Sequence, residues 1–269
     1  MTDEYVDAEL TYIVDDGKPS IRYVDWPEEE HNESIASYEP RMTRILNGRF
    51  LTPSPELNDF GFKLLDSKSA VSNFYSEKEV KDIYYPETEA VIKKESGARE
   101  VLVFDHTIRT PDTSTHQTGW VRGPVRYVHN DYTERSAVQR LKDFFPKTAQ
   151  NLLKGRFAII QTWRSIADRV ESEPLALCDG KTIPKTGFIR NERRYKDRTA
   201  ETYHICYNPE HKWYFFLYMT SSELLIFKVF DTSDEVDVRF TAHSAFSDPN
   251  TPASAPPRQS IEMRALVFF

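Results

Sequence analysis

Residues 239–269 decide the fold. They read Arg239-Phe240-Thr241-Ala242-His243-Ser244-Ala245-Phe246-Ser247-Asp248-Pro249-Asn250-Thr251-Pro252, then pass through Pro256-Pro257 into Arg258-Gln259-Ser260-Ile261-Glu262-Met263-Arg264-Ala265-Leu266-Val267-Phe268-Phe269. One strand ends on a histidine, a proline-rich connection follows, and an apolar strand closes the chain. Alternate side chains of a strand share a face, so Arg258, Ser260, Glu262 and Arg264 are predicted to lie together. Four polar side chains cannot all enter a dry core without partners. A cavity holding a dianionic ligand gives the arginines a reason to be there. An edge strand with this face in water is the bland alternative.

Far upstream, Val128-His129-Asn130-Asp131-Tyr132-Thr133 places an imidazole and a carboxylate two residues apart. On an extended backbone they project from one face into one cavity. A neutral imidazole and a carboxylate suit a non-haem Fe(II) centre, which takes a third protein ligand and keeps positions open. A surface His-Asp pair has the same spacing, and His243 in the terminal stretch is what lifts the motif above it.

Between and before these motifs the chain alternates strands with a few helices. Residues 8–13 and 21–24 read as strands joined across Asp15-Asp16-Gly17. The acidic stretch 26–37 reads as a loop, and residues 1–58 together as strands and an arm packed on a single domain over 59–269. Residues 60–65 and 101–104 are strands, the latter followed by His106, which either lines the cavity or is a satisfied rim histidine. Ser76 with Glu79 has the spacing of a capping box, Pro86 interrupts that helix, and a second runs to Gly97. Thr133 caps a helix carrying Ala137, Val138, Leu141 and Phe144. Residues 157–164, Phe157-Ala158-Ile159-Ile160-Gln161-Thr162-Trp163-Arg164, form the strongest strand. Its Arg164 is read equally as a carboxylate binder or a solvated group. Residues 165–200 are turn-rich, and Arg190-Asn191-Glu192-Arg193-Arg194 reads as a solvated loop in preference to a binding patch. Residues 202–207, 213–219 and 224–231 are further strands; His204 has no ligand set around it, and His211 is expected to be exposed in a turn.

Composition narrows the function classes. A net charge of −7 with interspersed signs leaves no basic stripe for nucleic acid. No apolar run reaches the roughly 18 residues of a membrane helix, and the acidic N-terminus has no signal core. Two cysteines, Cys178 and Cys206, without a CxxC spacing suit a reducing, cytoplasmic setting.

These stretches also carry a resemblance. Gly123-Pro124-Val125-Arg126-Tyr127-Val128-His129-Asn130-Asp131-Tyr132-Thr133, the strand at 157–164, Pro174-Leu175-Ala176-Leu177-Cys178-Asp179 and residues 240–269 resemble the hydroxylase/desaturase family of fungal secondary metabolism. That family is gibberellin desaturase-like, related to the cephem methoxylase subunit, and lies within the Fe(II)/2-oxoglutarate-dependent oxygenases. The likeness spans most of the chain from about residue 10. The family usually has Asn before the Trp-Arg pair and Pro after it, where this chain has Thr162 and Ser165.

The resemblance implies a mainly β fold with flanking helices, a double-stranded β-helix (jelly-roll, cupin-like) barrel. It implies Fe(II) held by His129, Asp131 and His243. The 2-oxoglutarate would meet Arg258 and Ser260, with Arg264 as competitor for its far carboxylate. Arg126, Arg164 and His106 are the candidate substrate-binding residues. The expected reaction oxidises an unactivated C–H bond of a small molecule with dioxygen, by hydroxylation, desaturation or cyclisation, while 2-oxoglutarate becomes succinate. Two rivals remain: an iron oxidase that needs no 2-oxoglutarate, and a non-catalytic jelly-roll accessory subunit. The oligomeric state, a homodimer among the options, stays open.

Overall fold

The structure, a computed structural model, describes residues 4–24, 34–112 and 121–269. The loops expected at 26–37 and 110–119 lie partly outside the described residues. The chain runs β1 (Tyr5–Val14), β2 (Ser20–Tyr23), β3 (Ser34–Ile35), β4 (Ser37–Asn47), β5 (Phe62–Asp66), α1 (Glu77–Glu79), α2 (Tyr85–Ser96), β6 (Glu100–Arg109), β7 (Val121–Arg122), β8 (His129–Asn130), α3 (Glu134–Phe144), α4 (Ala149–Leu152), β9 (Phe157–Ser165), β10 (Leu175–Cys178), β11 (Phe188–Arg194), β12 (Thr199–Ile205), β13 (Trp213–Phe215), β14 (Glu223–Asp231), β15 (His243–Ala245) and β16 (Ser260–Phe268).

Ten strands form one sheet in the order β1-β4-β13-β10-β15-β8-β12-β11-β2-β3, and six form a second in the order β5-β14-β9-β16-β6-β7. The sheets curl around a shared interior with helices outside, the expected mainly β jelly roll. Why the six-stranded sheet reads as continuous apolar runs follows from its two covered faces. Phe157, Ile159 and Trp163 of β9 join Phe227, Leu266 and Phe268 in the core between the sheets. The intervening Ala158 and Ile160 pack with Val80, Tyr84 and Ile92 of the helical layer. A third cluster, built on Leu10, Tyr12, Ile45 and Trp213, covers the outer face of the ten-stranded sheet.

The inner face of β16 divides in two. Leu266 and Phe268 belong to the apolar base, whereas Ser260, Glu262 and Arg264 face their neighbours on β6 (Arg109, Thr107, Asp105) and on β9 (Ser165, Trp163, Gln161). The interior is therefore dry at one end and polar at the other, and the polar end holds the site. A bulge between Arg264 and Ala265 marks the junction with β6.

Several local expectations change. β1 pairs with β4, not with β2, so the turn after β1 does not form a hairpin; β2 instead runs parallel to β11. Ser76 Oγ accepts from the Glu79 N–H at 3.3 Å, but the Glu79 carboxylate accepts from Ser72 and Asn73 N–H groups, so only half of the capping box forms. Pro86 does not interrupt the helix: the turn widens over Val80–Tyr84 and the proline, lacking an N–H to donate, sits at the start of α2. Gly97 ends α2 at φ +73°, a conformation cheap for glycine. His211 is buried against Tyr12 at 5.9 Å, not exposed. Residues 188–194 are strand β11, not a loop. Among the described residues no helix is long and apolar enough to cross a membrane.

At the far end of β14, Asp231 is fully buried and receives the Lys228 ammonium at 2.9 Å and the Arg156 guanidinium at 2.8 and 3.1 Å. Removing one partner of such a cluster strands the other charges. Asp231→Ala is expected to cost about 3–5 kcal/mol, read as a lowered denaturant midpoint with the metal site unaltered.

Candidate metal centre and cleft

β8 is short, but its register fixes the centre. His129 lies directly opposite His243 on β15 on one side and His204 on β12 on the other. Side chains at paired positions project to the same face, which brings the His129 and His243 rings to a centroid separation of 4.3 Å. Asp131 follows one step past the strand and points the same way. Ligand-capable atoms of His129, Asp131 and His243 all lie within 4.8 Å of one another.

The electrostatics suit a cation. His129 Nδ1 lies 2.7 Å from the Tyr127 carbonyl oxygen. Only an Nδ1–H can donate there, which leaves the Nε2 lone pair toward the centre. Burial pushes His243 down to about 3, with His129 adding to the shift, so its imidazole is neutral. Burial would raise the Asp131 carboxyl, but the Arg264 guanidinium beside it prevails and the group is held well below the usual carboxylate range. Two imidazoles and one ionised carboxylate converging on one point form the donor set of a non-haem Fe(II) site. The residues therefore fit that metal.

Asp131 is held by a second layer of contacts. Arg264 Nε donates to Asp131 Oδ2 at 3.0 Å, and Gln161 Nε2 donates to the same oxygen at 2.5 Å. Arg264 also bonds Asp105 at 3.0 Å and ion-pairs with Glu262; Glu262 in turn takes Arg109 at 2.7 Å. Burial would lower the Arg264 guanidinium, but Asp105, Glu262 and Asp131 raise it well above its ordinary value. Arg264 thus spends its donors on three protein carboxylates.

Arg258 is different. It is buried, its Nη1 donates to the Glu173 carbonyl at 2.6 Å, and its guanidinium lies 5.7 Å from the Trp163 ring centroid. Among the described residues its Nε has no hydrogen-bond partner, and neither has the buried hydroxyl of Ser260. Burial pushes this guanidinium down to about 10. Unsatisfied buried donors are costly, and these two belong to residues two apart at the start of one strand.

A cleft of about 1020 Å³ opens beside His129, Asp131 and Arg264. His106 lines it, with Nδ1 3.0 Å from the Tyr85 hydroxyl. Arg126 lines it and donates to Glu173 at 2.9 Å. Arg164 does not. It is 1% exposed, faces the helical layer, and donates to the Tyr84 hydroxyl at 3.1 Å and the Ser221 carbonyl at 2.8 Å. Strand alternation is the reason: Trp163 takes the inner face, which sends Arg164 outward.

Sequence reasoning missed Gln161, Glu262 as a partner of Arg264, and Asp105, and it left open whether His204 faces inward. The period of two in residues 157–164 already put Gln161 inward with Trp163. His204 became visible only through the register of β8 with β12. It sits 6.4 Å from His129 by ring centroids, and its Nδ1 lies 2.8 Å from the Tyr38 hydroxyl.

Known proteins resemble this chain. A family model described as an oxidoreductase/YMDC permease-like domain matches residues 10–268. A hydroxylase/desaturase, efuI of Hormonema carpetanum, is 33% identical over 239 residues, covering 79% of this chain and 78% of that protein. The Fe(II)/2-oxoglutarate-dependent dioxygenase nvfI of Aspergillus novofumigatus is 28% identical over 98% of this chain and 97% of its own length. A solved structure of the iron and alpha-ketoglutarate-dependent endoperoxidase NvfI superposes with a TM-score of 0.88 at 26% identity, over 99% of this chain and 99% of the other.

Proposed function

Since the chain belongs to the hydroxylase/desaturase family of Fe(II)/2-oxoglutarate-dependent oxygenases, we propose that it oxidises an unactivated C–H bond of a small molecule, with iron on His129, Asp131 and His243. The observation that carries this is the convergence of the Asp131 carboxylate and the His129 and His243 imidazoles, whose ligand-capable atoms all lie within 4.8 Å of one another. Bound there, the metal would supply dioxygen activation coupled to decarboxylation of the 2-oxo acid to succinate.

The chain's own residues have distinct tasks. Asp131 cancels one of the metal's two positive charges, and Arg264 with Gln161 fixes the carboxylate's orientation. The Tyr127 carbonyl fixes the His129 tautomer. Arg258 and Ser260 receive the far carboxylate of 2-oxoglutarate, because their Nε and Oγ lack partners among the described residues while Arg264 is occupied. Trp163 stacks beside the Arg258 guanidinium and keeps it in place. His106 and Arg126, on the cleft wall, contact substrate; an anionic group on the substrate matches the arginines of that wall. Two free cysteines fit operation in the reducing cytoplasm.

Succinate formed in proportion to oxidised substrate is the direct test. For Arg258→Met we expect the 2-oxoglutarate concentration at half-maximal rate to rise about 100-fold, equivalent to ~2.8 kcal/mol, with iron affinity unchanged. An unchanged 2-oxoglutarate requirement in Arg258→Met would move that role to another residue. Iron-dependent product formation without succinate would instead point to an oxidase that leaves 2-oxoglutarate untouched.

A further inference from the structure

The cleft carries a charge pattern that the metal centre does not explain. Among the described residues nine arginines and no lysine line it, against four acidic residues, in a chain whose net charge is −7. Near the metal centre the arginines are matched: Arg109 and Arg264 by Glu262, Arg126 by Glu173. Farther along the floor, Arg193 and Arg22 are not matched among the described residues.

The register lays out that floor. His129 faces His204 across β8 and β12. Two residues along β12 comes Thr202, opposite Asn191 on β11 and through it Ser20 on β2. Two more residues bring Ala200, Arg193 and Arg22 into one row. All but Ser20 line the cleft. The middle row is closed on itself, since Ser20 Oγ donates to Asn191 Oδ1 at 2.7 Å and Asn191 Nδ2 donates to Thr202 at 3.4 Å. The outer row sets two guanidinium groups side by side on neighbouring strands, an arrangement that costs free energy when nothing intervenes.

Arg193 is half-buried, and its Nε has no hydrogen-bond partner among the described residues. Among those residues neither Arg193 nor Arg22 makes an ion pair. The cross-strand neighbour Ala200 is too small to cover Arg193, and Tyr195 flanks it at 5.9 Å while stacking on Arg198 at 4.5 Å. Burial lowers the Arg193 guanidinium; Tyr195 and the Asp131 carboxylate partly offset this, and the charges of Arg22 and Arg122 add to the lowering. A desolvated cation beside like charges is relieved by an oxoanion, and a planar guanidinium matches a carboxylate best.

We propose that Arg193 and Arg22 form a carboxylate-binding subsite, so that the substrate is an elongated small-molecule acid whose carboxylate is anchored away from the carbon that is oxidised. Strand spacing and rise separate the Arg193 and His129 backbones by about 16 Å. The anchor therefore holds one end of the molecule while the other reaches the metal centre. This rests on the oxygenase reading above, and anchoring by Arg193 fixes which C–H bond is presented.

The test uses metal-free protein, so that it succeeds or fails independently of the iron assignment. The probe is 4-(trifluoromethyl)benzoate followed by fluorine NMR, with the neutral 4-(trifluoromethyl)benzamide as control. We expect the carboxylate to bind at least 10-fold more tightly than the amide. Arg193→Met should weaken the carboxylate at least 10-fold, and Arg22→Met, at an exposed position that tolerates change, several-fold. Equal binding of acid and amide, absence of binding, or a loss in Arg258→Met with retention in Arg193→Met would overturn the subsite.

Discussion

Asp131→Ala is expected to abolish both Fe(II) binding and turnover while leaving the protein folded. The carboxylate is the sole anionic member of the three-residue set, and without it two imidazoles would face a dication with no counter-charge. The fold survives because the charges around it rebalance. Arg264 keeps Glu262 and Asp105, and Gln161 loses one acceptor but stays within the β9 ladder. Equilibrium dialysis against Fe(II), with circular dichroism as the folding control, reads the outcome. Turnover at the wild-type rate by Asp131→Ala would remove His129, Asp131 and His243 as the reaction centre.

Arg264→Met should be the most disruptive change outside the metal ligands. This guanidinium bonds Asp131 and Asp105 at 3.0 Å each and ion-pairs with Glu262. Taking it away leaves three carboxylates converging with only Arg109, on Glu262, as a nearby cation among the described residues. Breaking a buried pair by removing one partner costs about 3–5 kcal/mol, and loss of an orienting partner lowers metal affinity about 10–100-fold. Both a lowered urea midpoint and weaker Fe(II) binding are therefore expected. Arg264→Lys should restore little of either, since one ammonium cannot serve three carboxylates in a planar fork. A variant with unchanged stability and metal affinity would show that Glu262 and Asp131 are satisfied without Arg264. It would also reopen this arginine as a 2-oxoglutarate ligand.

Much of the site was legible before the structure, because period-two reasoning works where a strand has one wet and one dry face. It put Ser260, Glu262 and Arg264 together, and the β6 and β9 registers bear that out. The same rule, applied one residue further, would have sent Arg164 away from the cleft. The family resemblance supplied His243, which no local pattern joins to His129; only the β8–β15 pairing does so in space. Choosing between Arg258 and Arg264 required counting partners, and sequence spacing carries no such count. What failed outright was β11. Arg190-Asn191-Glu192-Arg193-Arg194 looks like a solvated run by composition. Yet its alternation buries Asn191 and turns Arg193 into the cleft, while Arg190, Glu192 and Arg194 ion-pair on the other face. Charge masked periodicity there, since a strand lining a polar cavity has no apolar face to betray it.

The pairing of β1 with β4 was missed for a related reason. Residues 37–44 carry Pro40 and three charged side chains, Glu39, Arg41 and Arg44, which hide the strand period, and β13 pairs only with Ile45–Asn47, so Pro40 lies outside the doubly paired part of the strand.

The measurement that bears most directly on the central claim is an anaerobic titration of the metal-free protein with Fe(II) and then 2-oxoglutarate, followed in the visible spectrum. A weak charge-transfer band that needs both additions, that is lost in Asp131→Ala, and that in Arg258→Met requires about 100-fold more 2-oxoglutarate is the predicted result. Iron binding with no band at any 2-oxoglutarate concentration would contradict the account.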